Sequence, residues 1–321
     1  MPRAFLLGAV LWTTVASFGL AAETELPEGG IRLGDKQGQR WLIGLRVQAK
    51  GPCFGVFATV PLPTDWAEQH VEIVNEDTSP HVGSIEFREV DGGVKQMVVL
   101  MPRINAGEEA KALLTVAVTR HHILPPEDTA QFVSPQRPPR DVLKLTGPSP
   151  YIESRHAQIV KLAKELANEA EQKNLDAWQT VELYYDWVRE HVEYQNGSLK
   201  GALAALRDGN GDCEELTSLF IAICRANKVP ARTVWIPGHC YPEFYLEDTN
   251  GAGHWFPCQA AGTRAFGEMP EYRPILQKGD NFRVPEHKTP QRYVAEFCKM
   301  KSVSGAKPHV IFVREFLDEI E

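Results

Sequence analysis

The chain has 321 residues, 43% apolar and 24% charged, which is enough for two packed cores and shows no bias towards disorder. Lys and Arg number 34 against 42 Asp and Glu, a net charge of −8. That balance argues against a nucleic-acid binder, which needs a basic surface to neutralise phosphates. No internal stretch reaches the roughly 18 apolar residues of a transmembrane helix.

The first element is a leader pattern. Arg3 supplies a positive start, Phe5 to Phe18 is an apolar run, and Gly19-Leu20-Ala21 is a small-x-small cleavage site. Residues 1–21 therefore read as a signal peptide, with an uncleaved membrane anchor as the alternative. Export to a periplasm, a cell surface or the medium is expected, with no membrane span after cleavage. Cys53, Cys213, Cys224, Cys240, Cys258 and Cys298 contain no CxxC pair, so neither a zinc ribbon nor a thioredoxin-type site is supported. Six cysteines are also too few for a disulfide-built scaffold.

Residues 30–122 read as an all-β sandwich. Trp41–Val47, Phe54–Val60, Val71–Val74, Ser84–Val90, Val94–Met101 and Leu113–Val118 are short and rich in β-branched and aromatic residues, and Asp91-Gly92-Gly93 is a hairpin turn signal. His121 and His122 close the stretch as a surface turn; adjacent strand residues point to opposite faces, which disfavours a shared metal. Seven prolines between Ile123 and Pro150 forbid long regular structure, so residues 123–150 read as a surface connector.

Residues 151–321 place helices first and strands second, an α+β order. Ile159, Leu162, Ala163 and Leu166 follow the i, i+3, i+4, i+7 spacing of a helix. So do Val181, Tyr184, Tyr185 and Val188, in a helix that Asp176 can cap, and Leu216, Leu219, Phe220 and Ile223. Strands are expected at Arg232–Ile236, Tyr241–Leu246, Trp255–Cys258, Tyr293–Met300 and Val310–Phe316, the last two completing the sheet of this region.

The chemistry concentrates at Cys213. It opens the third helix after the break Gly209-Asn210-Gly211-Asp212, and a helix N-terminus stabilises a thiolate. Asp212, Glu214 and Glu215 flank it, which implies an exposed turn and opposes the thiolate. Cys224, in the apolar part of the same helix, reads as a packing cysteine. A cysteine nucleophile needs a base and an orienter for that base. If the strands around the turn Asp248–Gly251 pair with residue numbers summing to 498, His239 faces Gln259 and Cys240 faces Cys258. Gln259 then holds the imidazole, and Cys240 and Cys258 form a disulfide behind it. Glu243 and Asp248 are other carboxylates, but both sit too far along the strand. A zinc site from His239, Cys240, His254 and Cys258 fails because alternation splits the four across two faces. Asn196-Gly197-Ser198 matches a glycosylation sequon, a motif that often occurs by chance.

Gly211-Asp212-Cys213, then Leu219 to Ala226 and Val229-Pro230-Ala231-Arg232, then the strands from His239 and from His254, resemble the core of the transglutaminase-like superfamily. Its pattern reads GxC, a helix ending in RAxGIPAR, HAWVEVY and GWVPxD. Trp187-Val188 and Tyr194 resemble its upstream helix-plus-tyrosine stretch, and the core motifs span residues 180–262. The resemblance implies a papain-like fold and a Cys-His-Asp triad that performs acyl transfer on protein or peptide amides through a thioester. Cys213 maps to the nucleophile and His239 to the base. Gln259 stands where the family has aspartate; an amide can fix the tautomer of His239 but cannot stabilise its charge. Tyr194 is the candidate oxyanion donor beside the backbone N–H of Cys213. No cofactor or metal is implied. The expected function is an exported cysteine enzyme that hydrolyses, deamidates or cross-links a protein or peptide substrate. The alternative is a catalytically silent peptide-binding module.

Overall fold

The computed structural model describes residues 30–303 and 307–320, and the expected signal peptide at residues 1–21 lies outside them. The N-terminal strands are β1 (Arg32–Gln48), β2 (Cys53–Leu62), β3 (Gln69–Thr78), β4 (Ser84–Val90), β5 (Val94–Ile104) and β6 (Glu109–Leu124). Each contains one of the six segments expected from the sequence. The short β7 (Phe132–Val133) and α1 (Arg140–Leu143) precede α2 (Ala157–Gln172) and α3 (Ala177–His191). Next come β8 (Glu193–Tyr194), α4 (Ala202–Asp208), β9 (Asn210–Gly211) and α5 (Cys213–Ala226). Strands β10 (Ala231–Ile236), β11 (His239–Asp248), β12 (Gly253–Pro257), β13 (Gln277–Lys278), β14 (Phe297–Ser302) and β15 (His309–Ile320) finish the chain.

Two antiparallel four-stranded sheets, ordered β15-β1-β6-β3 and β14-β2-β5-β4, share one apolar core. Ile43, Leu45 and Val47 alternate inward from β1, and Val56, Ala58 and Val60 do so from β2. Here the tail departs from expectation. Strands β14 and β15 pair with β2 and β1 and do not extend the sheet of the cysteine region. Period-2 alternation predicts a strand but says nothing about its partner. His121 and His122 also lie within a strand: His121 bonds the Gly34 carbonyl and His122 stacks on Tyr272.

A third sheet, ordered β12-β11-β10-β13 with β7 on β11, carries α5 against β11. Helices α2, α3 and α5 and this sheet bury a second core rich in aromatic rings, in which Trp178, Phe220, Phe244, Phe256 and Phe266 meet edge-on or stacked. The proline-rich stretch is not purely a surface connector. Phe132 enters this core at 1% exposure, and β7 pairs with the end of β11. Among the described residues, no helix is long and apolar enough to cross a membrane.

Candidate active site

Helix α5 places Cys213 at its first helical position. Asp212 caps it, accepting from the Glu214 N–H at 2.8 Å, while Glu215 reaches back to the Asp212 N–H, a reciprocal capping box. Gly211 is required just before the cap: a Cβ there would sit 2.3 Å from the Cβ of Glu215. The first turn is less exposed than its acidic residues imply. Glu215 is 1% exposed and accepts from the N–H groups of Lys200 and Gly201 as well. Glu214 pairs with Arg292 from the tail. Burial pushes Asp212 up to about 6 and Glu214 up to about 7, so near neutral pH Glu214 is only partly charged against the thiolate while Asp212 stays mostly ionised.

His239 begins β11, beside this turn. Its Nε2 lies 2.8 Å from Gln259 Oε1. The amide oxygen only accepts, so Nε2 carries the proton and Nδ1 is left for Cys213. Cys213 is pulled down to about 4, first by a hydrogen bond from the Cys240 thiol; burial opposes this, and the hydrogen bond and charge of His239 add to it. Burial alone would lower His239, but the bonds to Cys213 and Gln259 outweigh it and its pKa is raised. The two shifts favour a thiolate–imidazolium pair.

The register differs from expectation. Glu243 pairs with Pro257 and Phe244 with Phe256, so paired numbers sum to 500. A shift of two residues keeps every side chain on its face. Gln259 therefore still reaches His239, as a diagonal neighbour. Cys240 and Cys258 no longer face each other, and both are free thiols. The expected disulfide between them is absent. Glu243 is buried between Lys278 and Arg232, and Asp248 holds His254, so neither carboxylate reaches His239.

The loop that carries Gln259 is held from behind by α3. Tyr185 donates its hydroxyl to the Gln259 carbonyl at 2.8 Å and accepts from the Ala265 N–H. Arg189, one turn on, donates to the carbonyls of Gln259, Ala260 and Gly262. Their i, i+4 spacing puts both on one helix face. That spacing was visible in the sequence, but their target was not. Tyr194 pairs with Gly211 through the parallel β8–β9 bridge, two residues before Cys213. Its side chain is 53% exposed, and its hydroxyl donates to Asn196 Oδ1 at 3.1 Å.

Residues 161–260 match the model of the transglutaminase-like superfamily. This stretch is a transglutaminase-like core. It holds Cys213, His239 and Gln259 and stops one residue after Gln259. No curated protein matches the chain. A solved structure from Cytophaga hutchinsonii, named "a Putative Cysteine Protease", is 18% identical and has a TM-score of 0.58, covering 90% of this chain and 93% of that one. At that identity the likeness is one of fold. The periplasmic domain of TgpA from Pseudomonas aeruginosa overlaps more loosely, at 13% identity and a TM-score of 0.33, over 68% of this chain and 89% of that one.

Around the transglutaminase-like core the tail adds groups that no motif announces. Arg292 lies over the Trp235 ring and Tyr293 meets the same ring edge-on, beside the Cys240 wall of the site. Arg273 bonds the Pro237 carbonyl and Glu271 near His239. Among the described residues, no cluster of His, Cys, Asp and Glu has the geometry of a metal site.

Proposed function

We propose that the protein is an exported cysteine enzyme that transfers the acyl group of a protein or peptide amide through a Cys213 thioester. One observation carries the reading: His239 Nε2 lies 2.8 Å from Gln259 Oε1, which leaves Nδ1 for the neighbouring Cys213, whose thiolate His239 favours. The thiolate of Cys213 attacks the amide carbonyl carbon, and the C=O electron pair moves onto oxygen. The N–H of Cys213 stabilises that oxyanion; at the start of a helix it has no carbonyl to serve within the helix. Tyr194 is the second donor once its hydroxyl leaves Asn196.

The His239 imidazolium then gives its proton to the departing amine or ammonia, and the C–N bond breaks. The thioester remains. Neutral His239 takes a proton from water or an acceptor amine, which attacks the thioester and releases the thiolate. Gln259 keeps the ring in place throughout, as asparagine does in papain-like sites.

Turnover of a denatured-protein or glutamine-peptide panel tests this. Release of ammonia or new amino termini by the native protein, lost in Cys213→Ala, is the expected result. If neither the native protein nor Gln259→Asp turns over any member, the silent binding module replaces the enzyme.

A further inference from the structure

Cys240 has no role in the acyl-transfer steps, yet it is the neighbour whose thiol most favours the Cys213 thiolate. The two residues pack together against Trp235. Cys240 is 1% exposed, and its sulfur lies 3.8 Å from the Thr217 hydroxyl. A void of about 10 Å³ beside it, lined also by Thr217, Glu214 and Arg292, is about the size of one water and leaves the thiol room to turn. The family pattern carries alanine at this strand position, so the strand does not need a thiol to form. We propose that Cys240 is a resolving cysteine, which captures oxidised Cys213 as a reversible Cys213–Cys240 disulfide. This rests on Cys213 being the reactive thiol of the site and extends that reading to its regulation.

The chemistry balances with a peroxide as oxidant. The Cys213 thiolate attacks one oxygen of hydrogen peroxide. The S–O bond forms, the O–O bond breaks, and hydroxide leaves; sulfur is oxidised by two electrons and the peroxide is reduced. The sulfur of Cys240 then attacks the sulfenic sulfur of Cys213. The S–S bond forms, the S–O bond breaks, and the leaving oxygen takes the Cys240 proton and departs as water. A small dithiol returns both sulfurs to the reduced state. Burial makes the order of events specific: peroxide reaches half-buried Cys213 from the solvent side, whereas Cys240 meets the oxidant only through Cys213. The disulfide would silence the site and shield Cys213 from irreversible oxidation.

The test uses the mature, full-length protein. Iodoacetamide labelling at neutral pH is first read without peroxide; failure of Cys213 to label overturns the reactive-thiol reading, and the proposal with it, before oxidation begins. Hydrogen peroxide is then added, free thiols are alkylated, and peptides are read by mass spectrometry. The expected result is a linked peptide joining Cys213 and Cys240, loss of Cys213 labelling, and its recovery with dithiothreitol. In Cys240→Ser the linked peptide is absent, and Cys213 passes to sulfinic acid that dithiothreitol does not restore. Cys298→Ser keeps the link. Sulfinic Cys213 forming in the native protein as fast as in Cys240→Ser, with no linked peptide, overturns the proposal without touching the proposed catalytic function.

Discussion

The Cys213 pKa of about 4 sets a concrete expectation for reactivity. A depressed thiol pKa means the thiolate persists as pH falls, until the pH passes the folded value. Labelling of Cys213 by iodoacetamide should therefore remain rapid well below about 8.5, the free-cysteine value, and fail only as pH approaches the depressed one. Replacing His239 by Ala removes a hydrogen bond and a positive charge from the thiolate. The labelling midpoint should move up by about one unit or more, read by the pH dependence of the labelling rate. Gln259 tunes the other partner. An amide accepts the Nε2 proton but adds no charge, so Gln259→Asp should raise the His239 pKa by about one to three units. The imidazolium would then be lost only at a higher pH, which an NMR titration of the His239 ring would follow. An unchanged His239 titration would mean that the carboxylate at position 259 does not contact the ring.

Helix α3 supplies the precision behind that pair. Arg189 satisfies three backbone carbonyls of the Gln259 loop, and carbonyls without a donor in a half-buried loop are costly. Arg189→Ala should lower stability by about 2 kcal/mol in urea unfolding and should also slow Cys213 labelling at low pH, because Gln259 no longer holds His239. Arg189→Lys should recover part of the stability but not the fork of contacts. At the other end of α5, the Arg225 guanidinium donates to Asp280 at 2.8 and 2.9 Å, with both side chains at 2% exposure or less. Asp280→Asn leaves a buried cation facing a neutral amide and should cost about 3 kcal/mol or more, again read in urea. These elements also show what was legible in the sequence. The three helices could be read because apolar residues recur at helical spacing, and Asp176 could be read as a cap because a side-chain oxygen there completes a hydrogen-bonded turn; the capping role of Asp212 emerged only in the structure. The His239–Gln259 contact could be read because facial alternation survives a register error of two residues. The same error removed the disulfide, which needs direct opposition. Arg292 and Asp280 were invisible, since their partners lie 78 and 55 residues away in a chain with no local pattern linking them.

At the scale of the molecule, the N-terminal sheets and the transglutaminase-like core are joined by buried charge. Lys278 Nζ donates to Glu68 at 2.6 Å and to Glu243 at 2.7 Å, so one ammonium bridges the segment before β3 and the middle of β11. Arg232 completes the neutralisation of Glu243. Beside them, Arg120 from β6 donates to the Tyr241 hydroxyl at 2.7 Å and to the Arg273 carbonyl. The Glu68–Lys278 pair and the bonds of Arg120 to Tyr241 and Arg273 exist only while both regions are folded and in contact. A half-formed interface would leave Glu68 and Arg120 without these partners, which is costly enough to make the partly separated state scarce. The tail tightens the link: β14 and β15 belong to the N-terminal sheets, whereas Arg292 and Tyr293, a few residues before β14, pack on Trp235 and Glu214 at the site. The chain should therefore unfold in urea as one cooperative unit. Tryptophan fluorescence, which reports both regions, and the loss of protection of buried Cys224 and Cys258 should give coincident midpoints. Lys278→Met strands the buried carboxylate of Glu68 and leaves Glu243 with Arg232 alone, and should lower that shared midpoint by the equivalent of about 3 to 5 kcal/mol. If the two probes instead separate in Lys278→Met but coincide in the native protein, the bridge is what makes the two regions a single folding unit; if they separate already in the native protein, the coupling argued from these contacts is wrong.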